Sequence, residues 1–225
     1  MSPERHPHSS TPSPQRCSLA FKAHTGACHV VRYDANGRYL LSGGADRSIK
    51  LWSATTNSSG PDDGLNRTHN AIKTYSSGHS HEILAIDVTP DNAHFASGGG
   101  DKAVLVWDVS TSTILRRFSA HEGRINDIRF AGSSHTPAQS TANLLCTAGF
   151  DAVLRFYDLR AHGAWRPIME CKDAKDAILT VEIQSSNIWT GSVDGVVRRY
   201  DVRQGQMTED TIDGETFLGS PGWRN

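Results

Sequence analysis

The sequence has no run of 18 apolar residues, so it offers no transmembrane helix. Its N-terminus, Met-Ser-Pro-Glu-Arg-His-Pro-His, has no apolar h-region and reads as lacking a secretory signal. It has only four cysteines (Cys17, Cys28, Cys146, Cys171), and no two stand at CxxC spacing. That argues against a metal site and a disulfide framework, and for a reducing home in the cytoplasm, the nucleus or both. Nor is there an excess of charge, since 23 Lys+Arg face 24 Asp+Glu for a formal net charge of −1. A balanced chain is neither a polybasic membrane binder nor a dedicated nucleic-acid clamp. What the 225 residues do hold is glycine, 20 of them, with Asp, Asn and Ser punctuating short apolar runs. That is the composition of strands and turns, in an amount sufficient for one large β domain.

The turns repeat. Ser42-Gly-Gly-Ala-Asp46, Ser97-Gly-Gly-Gly-Asp101, Thr147-Ala-Gly-Phe-Asp151 and Thr190-Gly-Ser-Val-Asp194 align on their aspartates. An aromatic follows each Asp by six residues: Trp52, Trp107, Tyr157 and Tyr200. A histidine precedes it by 22 residues in two units (His24, His79) and by 30 in the third (His121), while the fourth unit has none. The successive intervals between Asp46, Asp101, Asp151 and Asp194 are 55, 50 and 43 residues. The longer two contain polar, aperiodic insertions at Thr55–Asn70 and Gly132–Thr141. A period of about 40–45 residues with four strand-like runs per unit describes a propeller blade. The second unit, for example, gives Leu84–Val88, His94–Ser97, Val104–Trp107 and Ile114–Phe118. The last run of the fourth unit, Met207–Ile212, is the weakest.

The spacing and the pairs Gly78-His79, Trp107-Asp108, Tyr157-Asp158 and Tyr200-Asp201 resemble WD40 repeats over residues 20–205. Two stretches, Ser97–Val109 and Gly191–Gly205, are similar to the mitogen-activated protein kinase organiser family of WD proteins. The resemblance implies an all-β WD40 β-propeller without enzymatic activity or cofactor. It also implies a scaffold that binds proteins, either components of a MAP-kinase cascade or, alternatively, spliceosomal components in pre-mRNA splicing. About four blades of an expected seven are present, which predicts a truncated, open arc. Residues 1–15 are expected to be a disordered Ser/Pro-rich tail, 16–212 the propeller repeats, and 213–225 an irregular remnant of a further blade. In a closed ring the strand at about Arg16–Phe21 would complete the last blade.

By the same resemblance, four side chains form a structural network in each blade. The turn Asp accepts from the His, the His meets the strand hydroxyl, and the hydroxyl meets the indole. The sets are His24, Ser42, Asp46 and Trp52; His79, Ser97, Asp101 and Trp107; His121, Thr147, Asp151 and Tyr157; and, without a His, Thr190, Asp194 and Tyr200. The two tyrosines are expected to weaken the network without abolishing it. Asp101→Ala is therefore expected to destabilise more than Asp194→Ala, whose blade lacks its His. A Ser-His-Asp hydrolase triad is the competing reading, but the constellation recurs in every unit and no copy stands apart. Ser97-Gly-Gly-Gly-Asp-Lys102 is no phosphate loop, because no Gly-Lys-Ser/Thr occurs.

Family analogy also locates a partner-binding face, at three and five residues after the repeat His and one before the turn Asp. Those positions are Ala27, His29 and Ala45; Glu82, Leu84 and Gly100; Arg124, Asn126 and Phe150; Ala177, Leu179 and Val193. Arg124 and Phe150 are the proposed energetic anchors. The alternative is that Phe150 tucks against the neighbouring blade. Six of the nine prolines follow Ser or Thr, among them Ser2-Pro3, Thr11-Pro12 and Ser13-Pro14 in the tail, where proline-directed kinases would act.

Overall fold

The computed structural model describes residues 22–54, 70–119, 121–131, 143–160, 165–184 and 186–201, with the backbone alone at 206–210. The expected tail, the strand at Arg16–Phe21, the two insertions (apart from Asn70) and the segment 213–225 lie outside the described residues. Those residues form sixteen strands in four antiparallel sheets. Blade one is β1 (Cys28–Tyr33), β2 (Tyr39–Gly44), β3 (Ile49–Ser53) and β4 (Lys73–Tyr75). Blade two is β5 (Ile83–Val88), β6 (His94–Gly99), β7 (Val104–Asp108) and β8 (Ile114–Phe118). Blade three is β9 (Ile125–Phe130), β10 (Leu144–Gly149), β11 (Leu154–Asp158) and β12 (Met169–Cys171). Blade four is β13 (Ile178–Gln184), β14 (Asn187–Ser192), β15 (Val197–Asp201) and β16 (Gln206–Asp210). In every blade the strands pair in chain order, which makes the fold an all-β propeller-like arc. No helix is long and apolar enough to cross a membrane among the described residues.

Each blade is apolar on both faces, and the core lies between blades. Leu41, Ile49 and Tyr75 of blade one pack on Ile83, Ile86, Phe95, Leu105 and Trp107 of blade two. Ala85, Val104, Val106 and Phe118 of blade two pack on Ile128, Phe130, Leu145 and Tyr157 of blade three. Cys146, Leu154 and Phe156 then meet Val181, Ile183, Ile188 and Tyr200. The near-continuous apolar runs, such as Val104-Leu-Val-Trp, follow from burial on both faces. The last strand of one blade supplies an aromatic to the next: Tyr75 lies edge-on to Trp107 at 5.8 Å, and Phe118 stacks on Tyr157 at 4.3 Å. Such pairs add about 0.5–1.5 kcal/mol beyond area burial.

The glycine run 98–100 has a packing reason. A Cβ on Gly99 would stand 1.9 Å from the Glu82 carbonyl oxygen, and one on Gly98 2.8 Å from both Ile125 and Ile128. The turn that follows each repeat aspartate is left-handed, with φ of 62° at Arg47, 63° at Lys102 and 59° at Ala152. In blade four the same position is Gly195, with φ of 81°. The aspartate side chain holds that turn, accepting from the backbone N–H two residues on: Ser48, Ala103 and Val196.

Candidate functional site

The polar network is a set of buried relays between β2-type and β3-type strands. In blade one, His24 Nδ1 lies 2.9 Å from Asp46, His24 Nε2 lies 2.8 Å from the Ser42 hydroxyl, and the Trp52 indole donates to that hydroxyl at 2.8 Å. Blade two repeats it: His79 reaches Asp101 at 2.9 Å and Ser97 at 2.7 Å, and Trp107 donates to Ser97 at 2.8 Å. Ser42 and Ser97 are buried and both of their hydrogen-bonding directions are used. A hydroxyl held this way has no path to a substrate carbonyl, so the geometry does not support the triad reading.

Blades three and four depart from the pattern. His121 bridges Asp151 at 3.0 Å and Thr147 at 2.8 Å. The Tyr157 hydroxyl sits beside Thr147 but closes no hydrogen bond, and neither does that of Tyr200. A tyrosine stands in both blades where blades one and two have the tryptophan, so no indole N–H reaches the strand hydroxyl there. Burial pushes the Tyr157 phenol up to about 12.

Arginine supplies what the repeat pattern omitted. Arg155 donates to Asp151 at 2.7 Å, beside His121. In blade four Ala174 holds the place of the histidine, since the next residue, Lys175, donates its backbone N–H to Asp194 as Thr25 does to Asp46. Arg198, its side chain 2% exposed, takes over and grips Asp194 with both terminal nitrogens, at 3.2 and 2.8 Å. Asp194 therefore has a charged partner, contrary to the reading from the missing His. The available signal was an arginine four residues after the turn Asp, at a strand position that is Leu105 in blade two and Lys50 in blade one. Thr190, which a histidine would meet, has a buried hydroxyl without a hydrogen bond. Ala174→His is expected to restore that bond and raise stability by about 1 kcal/mol, because His121 and Arg155 already coexist in blade three. The check is the melting temperature, and a fall on substitution would show that the arginine leaves no room for the ring.

All four turn aspartates sit below the ordinary carboxylate value. Burial works against this for Asp46, Asp101 and Asp151, but hydrogen bonds from Ser48, His24, His79, His121 and backbone amides outweigh it. For Asp194 the Arg198 guanidinium is the main cause. A carboxyl whose folded value lies below its unfolded 3.8 adds stability above that pH and loses it as the pH falls through the folded value. The melting temperature should therefore hold between neutrality and about pH 5, then fall steeply below about pH 4. A flat profile down to about pH 2 would contradict the network's contribution.

The proposed binding positions gather at one end of the blades. A backbone hydrogen bond ties the residue before each turn Asp to the residue three after the repeat His: Ala45 to Ala27 at 2.8 Å, Gly100 to Glu82 at 2.9 Å, Phe150 to Arg124 at 2.8 Å, Val193 to Ala177 at 2.9 Å. The middle position of each set is a β-bulge. The innermost strand skips a partner at His29, Leu84, Asn126 and Leu179, one in every blade. A bulge leaves its residue unpaired and re-aims its side chain, which the sequence pattern alone does not show. Adjacent blades connect across this face, with His29 Nε2 3.3 Å from Glu82 and Asn126 donating to the Ile178 carbonyl at 2.7 Å. Phe150 is 58% exposed, with the Arg124 guanidinium over its ring at 5.3 Å, so it does not tuck against a neighbour. Leu179 and Val193 are also exposed, whereas Ala177 is buried and drops out of the face. No group of three or more His, Cys, Asp or Glu able to hold a metal occurs among the described residues.

Comparisons with known proteins agree with this architecture. The family model described as WD domain, G-beta repeat, matches residues 15–53, 70–108 and 112–158. The WD repeat domain-containing protein 83 homolog of Dictyostelium discoideum is 27% identical, over 87% of this chain and 63% of that protein. The U5 small nuclear ribonucleoprotein 40 kDa protein of the same organism is 25% identical, over 80% of this chain and 45% of that protein. The chain thus spans less than two thirds of either relative. A crystal structure of RRP9 WD40 repeats superposes with a TM-score of 0.68 at 18% identity, covering 84% of this chain and 52% of that one. Repeat spacing, blade topology and family model agree that the chain belongs to the WD40 family of WD-domain, G-beta-repeat proteins.

Proposed function

We propose that the chain is a non-catalytic scaffold that binds proteins through the loop-bearing end of its blades, with the anchor on blades three and four. The observation that carries this is the exposed Phe150 under Arg124, with Leu179 and Val193 on the adjoining blade. A cation and apolar groups presented on a rigid scaffold suit a protein partner. The balanced charge, 23 basic against 24 acidic residues, favours proteins over naked nucleic acid. The partners are components of a MAP-kinase cascade, as the stretches Ser97–Val109 and Gly191–Gly205 suggest, and the setting is the cytoplasm, the nucleus or both.

The second reading, a spliceosome-associated factor, is favoured by the likeness to a U5 small nuclear ribonucleoprotein subunit. Affinity purification of the full chain from cytosolic and nuclear extracts separates the two. Capture of cascade kinases without splicing proteins supports the first reading, and the reverse supports the second. Capture of neither set, at levels above an Arg124→Ala/Phe150→Ala control, would remove both.

A further inference from the structure

We infer that the Arg124–Phe150 pair receives an acidic, apolar peptide segment, with one Asp or Glu carboxylate of the partner on Arg124 and a neighbouring aliphatic side chain against Phe150 and Leu179. This rests on the scaffold reading above and names the chemistry of its anchor. Arg124 is exposed, and its guanidinium makes no hydrogen bond or ion pair among the described residues. It lies over the Phe150 ring, 5.3 Å from the centroid. Other arginines of the blades are neutralised within the chain: Arg32 by Asp87, Arg155 by Asp151 and Glu170, Arg160 by Asp158. A guanidinium held over a ring keeps its in-plane N–H donors for a planar, bidentate acceptor. The backbone beneath is fixed as well. The Phe150 N–H donates to the Arg124 carbonyl at 2.8 Å, and Gly123 lets the two segments close up. The cation is therefore positioned before any partner arrives, which lowers the ordering cost of binding.

Charge selects a carboxylate over a phosphate. Phosphorylated segments are recognised by clusters of arginines. At this end of blades two to four the turns carry Lys102 and Lys175, but also Glu82, Glu122, Asp173 and Asp176, so the face is mixed rather than cationic. A dianion would meet those carboxylates, whereas a single carboxylate matches a single free guanidinium. The apolar half of the ligand follows from the bulges. Asn126, two residues after Arg124, donates across the junction to the Ile178 carbonyl at 2.7 Å. That bond sets Leu179, the bulge residue of blade four, beside the innermost strand of blade three. Leu179 is 51% exposed, while the matching residue of blade two, Leu84, is half-buried. The exposed apolar area next to Phe150 thus lies toward blade four, and the aliphatic residue of the partner belongs on that side of the carboxylate.

Selection of a displayed library of random heptapeptides on the full chain, with counter-selection on Arg124→Ala/Phe150→Ala, tests this. The selected sequences should share an Asp or Glu close to Leu, Ile, Val or Met. For a synthetic peptide of that consensus, replacing its Glu by Gln, or Arg124→Lys in the chain, should each weaken binding by about tenfold or more. Leu179→Ser should weaken it with the melting temperature unchanged. Arg124→Glu should lose the acidic peptide and bind the version with Lys in place of Glu, a gain that an unfolded variant cannot produce. Absence of an acidic consensus, indifference to Gln in place of Glu, or binding about tenfold tighter with phosphoserine at that position would each overturn the assignment. Protein capture that is lost in Arg124→Ala/Phe150→Ala while no acidic peptide is selected would overturn it and leave the scaffold reading standing. Capture indifferent to that double variant would remove both.

Discussion

Asp194→Ala is expected to lower the denaturant midpoint further than Asp101→Ala, the reverse of the order that the repeat pattern suggests. Both substitutions remove a carboxylate that accepts two backbone amides, from Ser80 and Ala103 for Asp101 and from Lys175 and Val196 for Asp194. The difference lies in the remaining partner. Asp101 leaves His79, which keeps its bond to Ser97 and whose imidazole, unlike a guanidinium, carries no obligatory charge. Leaving such polar groups short of an acceptor costs about 1–3 kcal/mol. Asp194 leaves Arg198, whose side chain is 2% exposed and whose guanidinium cannot deprotonate. Stripping the carboxylate from a buried ion pair costs about 3–5 kcal/mol. Replacing both partners tests the mechanism: Asp194→Ala combined with Arg198→Leu should recover much of the loss, since Leu105 fills that strand position in blade two. Equal midpoint shifts for the two single variants, or no recovery in the double one, would refute this account of the fourth blade.

The repeat was legible because its signals are local. A turn aspartate, a hydroxyl four residues before it and an aromatic six after it fix two strands and the hairpin between them. The sixteen strands accordingly fall close to the runs read from the sequence. The histidine is legible where an imidazole fits, and invisible where another group does its work from elsewhere in the chain. Arg198 approaches Asp194 from β15 and Ala174 from the loop before β13, so no motif search for a histidine finds the substitution. Asp87 and Asp127 were missed for a related reason. They read as ordinary polar residues in alternating strands, yet Asp127 accepts the Val181 N–H of the next blade at 2.8 Å and pairs with Arg129. A carboxylate that joins two sheets is a property of the junction, and the sequence of either strand does not contain it.

Arg124→Ala together with Phe150→Ala is expected to abolish partner capture while leaving the thermal melt unchanged. The case rests on where the two side chains stand. Phe150 occupies the turn before Asp151, its ring outward, and its backbone N–H is fixed to the Arg124 carbonyl at 2.8 Å. Gly123 lets the two segments approach, since a Cβ there would lie 3.0 Å from that of Phe150. Truncating either side chain leaves the backbone bond and the interblade core in place. A surface change of that kind normally moves stability by less than about 0.5 kcal/mol. An Arg–aromatic pair that a partner desolvates, by contrast, typically carries about 2 kcal/mol or more of binding energy, a loss of roughly thirtyfold in affinity. Single variants divide the effect. Phe150→Leu should retain part of the capture through apolar area alone, and Arg124→Lys should lose most of it if the guanidinium stacks on the partner as well as on Phe150. A pull-down beside a melt reads both quantities. Unchanged capture would move the partner to another surface, such as the blades-one-and-two half of the same face, where His29 lies beside Glu82 at 3.3 Å. A collapsed melt would mean that the Arg124–Phe150 pair holds the blade-three turn rather than a partner.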